Sequence, residues 1–291
     1  MPSLKAVRIR IASVKSTQKI TRAMKLVAAA RLRRAQDAIV AARPYAEALS
    51  EAVAELAARA GEDAHPMLQK RPVKRIALVA LTSDRGLAGG FNANVGRASL
   101  AFVRDERAKG PDAPEITMHI LGRKGREFAR RRKLNIGHEW PGAAGDTVAA
   151  RAREIALTLT DEFAEGKVDA VYLVYNPFKS AISQKVVVTP LLPVTPAVLS
   201  SEAAAIDFLY EPSKEELLGL LLPLYIESQI YRALLESIAS EFGARMSAME
   251  NATNSARDMI ERLTLQYNRA RQASITKELM EIVGGAEALK G

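Results

Sequence analysis

The sequence predicts a mixed α/β protein: a long N-terminal helix and a longer C-terminal helix pair antiparallel as a coiled coil, with an α/β domain between them. Three observations carry that reading. Apolar residues recur at helical spacing from residue 4 onward, and a heptad seam runs through the last quarter of the chain. Between these ends, short apolar runs alternate with amphipathic stretches.

The first element covers residues 1–60. Ser3 is placed to cap it, and Leu4, Val7, Ile11 and Val14 begin an apolar stripe. Ile20, Met24 and Val27 carry the stripe on after a shift of register. Pro44 predicts a kink or break near Arg43, and Gly61 is the first strong stop. Residues 73–191 read as α/β. Runs at 76–82, 116–121, 170–176 and 184–191 suit strands, the last bounded by Pro190 and Pro193. Helical stretches at 94–107, 124–132 and 146–165 lie among them, which is the rhythm of a parallel sheet. Residues 192–212 read as a linker.

The last helix covers residues 213–286. Ser213 and Glu216 form a capping box after Pro212, and only Pro223 interrupts strongly before Gly284 and Gly285. Leu224, Ser228, Tyr231, Leu235, Ile238, Phe242, Arg245, Met249, Ala252, Ala256, Met259, Leu263, Gln266 and Ala270 alternate in steps of four and three, a left-handed coiled-coil seam. The seam is weak, because small and polar residues sit among the large ones. At about 1.5 Å per residue the two helices would reach roughly 85 and 100 Å, leaving about 20 Å of the second unpaired. That tip, residues 282–289, is small, apolar and almost uncharged, and an exposed apolar tip implies a partner.

Composition narrows the function. The chain has 291 residues and no cysteine, which excludes a disulfide scaffold, a Cys-ligated zinc site and a thiol nucleophile. Its 42 Lys and Arg against 33 Asp and Glu give +9, which points to an acidic partner. No apolar run reaches the roughly 20 residues of a bilayer crossing. The basic N-terminus lacks the apolar stretch of a secretory signal, so a cytoplasmic protein is expected.

Chemical motifs are sparse. The loop 83–92, after the first strand, stands where nucleotide folds place phosphate loops. It has neither the G-x-G-x-x-G spacing nor a Gly-Lys-Ser/Thr ending, so a tight structural turn built on Asp84, Arg85, Gly86, Gly89 and Gly90 is the better reading. His65, His119 and His138 show no metal-ligand spacing, and His119 reads as structural. No catalytic, cofactor or metal site is expected. Residues 1–34 hold ten basic side chains and no acidic one. A solvated helix usually mixes signs, so this one-signed stripe suggests an acidic counterpart. A second basic run, from Arg123 to Lys133, reads as the solvent face of a surface helix.

Three stretches resemble a known family. Residues 11–25 (IASVKSTQKITRAMK), 82–90 (TSDRGLAGG) and 267–279 (YNRARQASITKEL) closely resemble the gamma-chain family of the rotary F-type ATP synthases, in the family's order and across nearly the whole chain. The resemblance implies a non-catalytic central shaft: an antiparallel helix pair with a Rossmann-like foot. The shaft turns inside alternating alpha and beta subunits, while the foot meets the membrane ring and the epsilon subunit. The absence of a transit peptide favours a bacterial form, peripheral on the cytoplasmic side of the inner membrane.

Residue roles follow the same resemblance. Met24 matches a position facing an acidic loop of the beta subunit, and Lys15, Lys19, Arg22 and Lys25 would extend it as a basic track. Arg271 and Gln272 match a polar catch on the beta subunit, and Arg245 would add a further contact to that subunit. Tyr210 and Glu211 match foot residues that meet the membrane ring. Ala88 stands where many members have cysteine, so thiol control is excluded. Two rivals remain: a basic coiled-coil protein that binds nucleic acid through residues 1–34, and a Rossmann-type enzyme with helical arms.

Overall fold

The structure is a computed structural model that describes residues 3–180, 184–196, 210–211 and 213–288, with side chains to 285 in the last helix. The chain forms two compact units, Met1–Ala28 with Met246–Gly291, and Ala29–Arg245.

Two helices contribute to both units: α1, Leu4–Ala60, and the last helix of the chain, Lys214–Ala288. Their ends obey local chemistry. Ser3 Oγ accepts the Ala6 N–H at 3.2 Å, and Ser213 Oγ accepts the Glu216 N–H at 3.2 Å. Gly61, at φ +87°, stops α1 by adopting a conformation that costs other residues more.

Neither internal proline breaks its helix. Pro44 lies inside α1 and Pro223 inside the last helix, contrary to the break expected near Arg43. A helical proline frees the carbonyl four residues earlier, here those of Val40 and Gly219. Both of those residues are exposed.

The larger unit is built on a five-stranded sheet. Its strands are β1 (Arg75–Leu81), β2 (Glu115–Leu121), β3 (Ile136–Trp140), β4 (Ala170–Tyr175) and β5 (Val187–Leu192), in the order β3-β2-β1-β4-β5. The first four are parallel and β5 runs antiparallel to β4. Helices α2 (Phe91–Arg107), α3 (Arg123–Arg131) and α4 (Thr147–Ala164) connect them, and the helix Lys214–Ala288 is α5.

Two strand assignments differ from the sequence reading. β3 went unseen because only Ile136 and Trp140 are apolar in it, and an edge strand with an exposed face needs no apolar run. Pro190, read as a boundary, lies inside β5 opposite Tyr172. β5 is an edge strand, where a residue without an N–H is tolerated.

β1 is buried on both faces, which is why it reads as a continuous apolar run. Ile76, Leu78 and Ala80 face a core with Val95 and Val103 of α2 and Ala129 of α3. Ala77, Val79 and Leu81 face a second core, shared with Ile155 and Leu159 of α4, Val53 and Leu56 of α1, and α5. The α5 contribution corrects the seam. Leu218, Leu222, Ile226 and Ile230 are fully buried, while Leu224, read as a seam residue, is exposed. The heptad reading traced one stripe, whereas here α5 buries a second face as well. Each of those four side chains contributes roughly 2 kcal/mol relative to exposure.

In the smaller unit the N-terminal part of α1 keeps one unshifted stripe: Leu4, Val7, Ile11, Val14, Gln18, Thr21, Lys25 and Ala28 are buried or half-buried. The expected register shift is absent, and Ile20 and Val27 are 57% and 55% exposed. On α5 the matching positions are Met249, Thr253, Ala256, Ile260, Leu263, Tyr267 and Ala270, so Thr253, Ile260 and Tyr267 replace Ala252, Met259 and Gln266 as the main seam residues.

Candidate functional site

The smaller unit pairs its helices through polar groups. The hydroxyls of Thr21 and Thr253 share a 2.8 Å hydrogen bond, and Lys25 forms an ion pair with Glu250. As numbers rise along α1 they fall along α5, so the pair is antiparallel. A hydroxyl in the seam is tolerated because its partner stands opposite. Lys25, read as part of a basic track for an outside acid, is instead half-buried and committed to Glu250.

The outward face carries the charge. Lys15, Lys19 and Arg22 lie at i, i+4 and i+7, each one residue beyond a seam position, and all three are exposed; Met24 is half-buried beside them. Lys5 and Arg8 extend the same row. Large apolar side chains share this exterior: Ile9, Ile20, Leu26 and Val27 on α1, and Leu265, Ile275, Leu279, Met280 and Ile282 on α5, with Ile282 72% exposed. Arg271 and Gln272 are exposed on α5. Leu289, at the end of the expected tip, lies outside the described residues.

The larger unit holds the turn after β1, and the fold explains each of its residues. Asp84 accepts the Arg123 N–H at 3.0 Å and the Gly142 N–H at 3.2 Å, tying the start of α3 and the loop after β3 to the turn. Ser83 donates its N–H to Asn92 Oδ1 at 2.9 Å. Gly89 sits at φ +55° and Leu87 at +63°, Gly90 precedes α2, and Arg85 points to solvent. These contacts tie the turn to α2, α3 and the loop after β3. The turn therefore works as a structural knot.

Arg245 joins this knot. Its guanidinium donates to the Gly86 carbonyl at 3.2 Å and pairs with Glu241 at 2.6 Å. Arg245 is only 8% exposed, so the assignment of an outer contact to it is corrected: the side chain is used inside the unit. Burial pushes the Glu241 carboxyl above its ordinary value, although the Arg245 charge pulls the other way. Sequence reasoning missed this pair because Gly86 and Arg245 are far apart in the chain. The i, i+4 spacing of Glu241 and Arg245 was the one available signal.

Tyr210 is half-buried against the larger core with the Lys214 ammonium 5.1 Å from its ring, and Glu211 is exposed. The proposed contact residues therefore fall in separate places: Lys15, Lys19, Arg22, Met24, Arg271 and Gln272 in the smaller unit, Tyr210 and Glu211 in the larger. No helix among the described residues is long and apolar enough to cross a membrane.

Comparison with known proteins agrees with this geometry. A family model described as ATP synthase matches residues 3–289. The ATP synthase gamma chain of Anaeromyxobacter sp. (strain Fw109-5) is 53% identical over 293 aligned residues, covering 100% of both chains. That of Geotalea daltonii is 48% identical over 294, again covering both chains fully. Among solved structures, a chain of the Tetrahymena thermophila mitochondrial ATP synthase central stalk and c-ring aligns with a TM-score of 0.60 and 28% identity, covering 80% of this chain and 99% of that one. A chain of the Euglena gracilis mitochondrial ATP synthase aligns at 0.69 with 20% identity, covering 98% and 94%, a likeness of fold. Nothing in these matches supports the nucleic-acid-binding alternative.

Proposed function

The chain belongs to the ATP synthase gamma-chain family, and from that premise we propose that it is the central rotary shaft of a proton-translocating ATP synthase. Turning of the membrane ring enters through the larger unit and leaves through the smaller, whose off-axis surface pushes the catalytic beta subunits through different conformations in turn. The chain makes and breaks no bonds itself.

The observation that carries this reading is the inverted distribution in the smaller unit. Polar Gln18, Thr21 and Lys25 occupy the seam while Ile20, Leu26 and Val27 face out. A helix pair stabilised mainly by itself would do the reverse. Such a surface suits a sleeve of other subunits, which shields the apolar side chains and supports the weak seam.

Within that sleeve, Lys15, Lys19 and Arg22 form a basic track for an acidic loop of the beta subunit, with Met24 beside it. Arg271 and Gln272 act as a polar catch, Arg supplying a forked donor set. Tyr210 and Glu211 meet the polar loops of the membrane ring, and the epsilon subunit sits against the same unit. The assembly lies on the cytoplasmic side of a bacterial inner membrane, with the gamma chain peripheral to it.

A pull-down of the tagged full-length chain from bacterial membranes in mild detergent tests the reading. The expected result is one copy with three copies each of two larger nucleotide-binding subunits, and ATP hydrolysis in the eluate. Recovery of nucleic acid, or of the chain alone, would overturn it.

A further inference from the structure

Two of the three histidines meet only in the folded chain. His119 lies on β2 and His138 on the neighbouring edge strand β3, and Glu162 reaches them from α4. The β2–β3 register shifts between Met118 and Ile120, at His119 itself. Gly137 makes room for the ring, since a Cβ there would stand 2.9 Å from His119 Cε1. His119 and His138 stack with ring centroids 5.3 Å apart, and Trp140 stacks on both.

The polar atoms converge. His138 Nε2 is 3.2 Å from one Glu162 carboxylate oxygen and His119 Nε2 is 3.5 Å from the other. One donor atom from each of the three residues lies within 4.8 Å of the other two. Glu162 Oε2 is buried and has no hydrogen-bond partner. Only the His119 Nε2, at 3.5 Å, faces this oxygen, too far for a hydrogen bond of ordinary length. His119 is only 2% exposed. In a tetrahedral site with bonds of about 2.0–2.1 Å, donors stand about 3.4 Å apart, close to the two separations seen here.

We propose that His119, His138 and Glu162 bind one zinc-class divalent cation, through Nε2 of both imidazoles and the Glu162 carboxylate. Two nitrogens and one oxygen suit Zn²⁺, with water completing the tetrahedron, and not the hard cations that prefer all-oxygen shells. The ion gives the orphaned oxygen its partner and ties edge strand β3 to β2 and α4. Its role is a clasp on the larger unit, separate from rotary coupling.

Binding has a local signature. His119 Nδ1 accepts the His138 backbone N–H at 3.2 Å, which places the ring proton on Nε2. Coordination through Nε2 moves that proton to Nδ1 and releases the His138 amide, so β3 shifts slightly against β2 as the metal enters.

The test uses the chelator-treated full-length chain titrated with Co²⁺, whose visible absorption reports tetrahedral coordination, and then with Zn²⁺. The expected result is one Co²⁺ per chain, displaced by Zn²⁺, with a Zn²⁺-dependent rise in Tm. His138→Ala, at a half-exposed ring that leaves the core intact, should weaken Co²⁺ binding by about tenfold or more, and Glu162→Gln likewise. Absence of stoichiometric binding to the wild-type chain would overturn the proposal. So would equal binding by the folded His138→Ala chain.

Discussion

The Glu241–Arg245 pair offers the sharpest test of how the larger unit is held. The two side chains are 16% and 10% exposed and 2.6 Å apart, and the arginine also reaches the Gly86 carbonyl at 3.2 Å. Arg245→Met removes a charge and leaves Glu241 buried without its cation. Breaking a buried pair from one side costs about 3–5 kcal/mol, and the residual exposure of Glu241 puts this case near 3. Glu241→Met/Arg245→Met removes both charges and leaves mainly Gly86 without its donor, a cost of about 1 kcal/mol. The double variant should therefore be more stable than Arg245→Met alone by about 2 kcal/mol.

The pH dependence follows from the direction of the Glu241 shift. Its folded pKa lies above the unfolded value because burial outweighs the pull of Arg245. A folded state that binds its proton more tightly loses stability as pH rises from the ordinary carboxylate range through the raised value. Arg245→Met removes the opposing pull and raises the folded value further. The gap between wild type and this variant should therefore be smaller at pH 5 than at pH 8. Urea unfolding of the full-length chain, followed by far-UV circular dichroism and by the single Trp140, measures both effects. A double variant no more stable than Arg245→Met, or a gap that ignores pH, would refute the buried-pair argument.

Other consequences are simpler to check. Thr21→Val should cost no more than about 1 kcal/mol, because Thr253 loses its cross-helix partner but keeps its 2.7 Å bond to the Met249 carbonyl; a loss of several kcal/mol in thermal unfolding would contradict this. Gly122→Ala should cost about 3 kcal/mol or more, since φ is +93° and the new Cβ would stand 2.4 Å from the Thr82 carbonyl oxygen; a Tm unchanged from wild type would contradict this. Lys15→Glu/Arg22→Glu reverses two exposed charges, so it should impair ATP-driven proton pumping by the assembled complex while leaving the urea midpoint unchanged; normal pumping would sink the basic track. Arg271→Lys should lower ATPase turnover in the complex, because a point charge cannot copy the guanidinium fork; an unchanged rate would remove the catch role.

Local chemistry was legible in the sequence wherever one residue suffices to decide it. Ser3 and Ser213 cap their helices, Gly61 ends α1, and four apolar runs mark four of the five strands. Longer-range features were not legible. Leu218, Leu222, Ile226 and Ile230 face the sheet, but periodicity names apolar faces without naming what covers them. β3 carries too little apolar sequence to announce itself. The Arg245–Gly86 contact and the His119–His138–Glu162 cluster depend on strand order, which no local pattern encodes. The break allowed for at Pro44 does not occur, because a helix can run through a proline whose freed carbonyl lies on an exposed turn.

The register error in α1 is the most informative of these. A reading that follows apolar residues takes the stripe to Ile20 and Val27, whereas the helix holds its heptad and puts Thr21, Lys25 and Ala28 inside. Each large apolar side chain left outside forgoes roughly 2 kcal/mol of burial, about 6 kcal/mol for Ile20, Leu26 and Val27 together. In a freestanding helix pair that would be unrecovered stability, and a slip of register would capture it. The polar matches, Thr21 with Thr253 and Lys25 with Glu250, favour the observed register but are worth too little to hold it against that gain. The balance closes if the apolar exterior is covered by the proposed sleeve. A cover that binds only the folded pair stabilises it by mass action, so the smaller unit should be held together less by its own seam than by its sleeve.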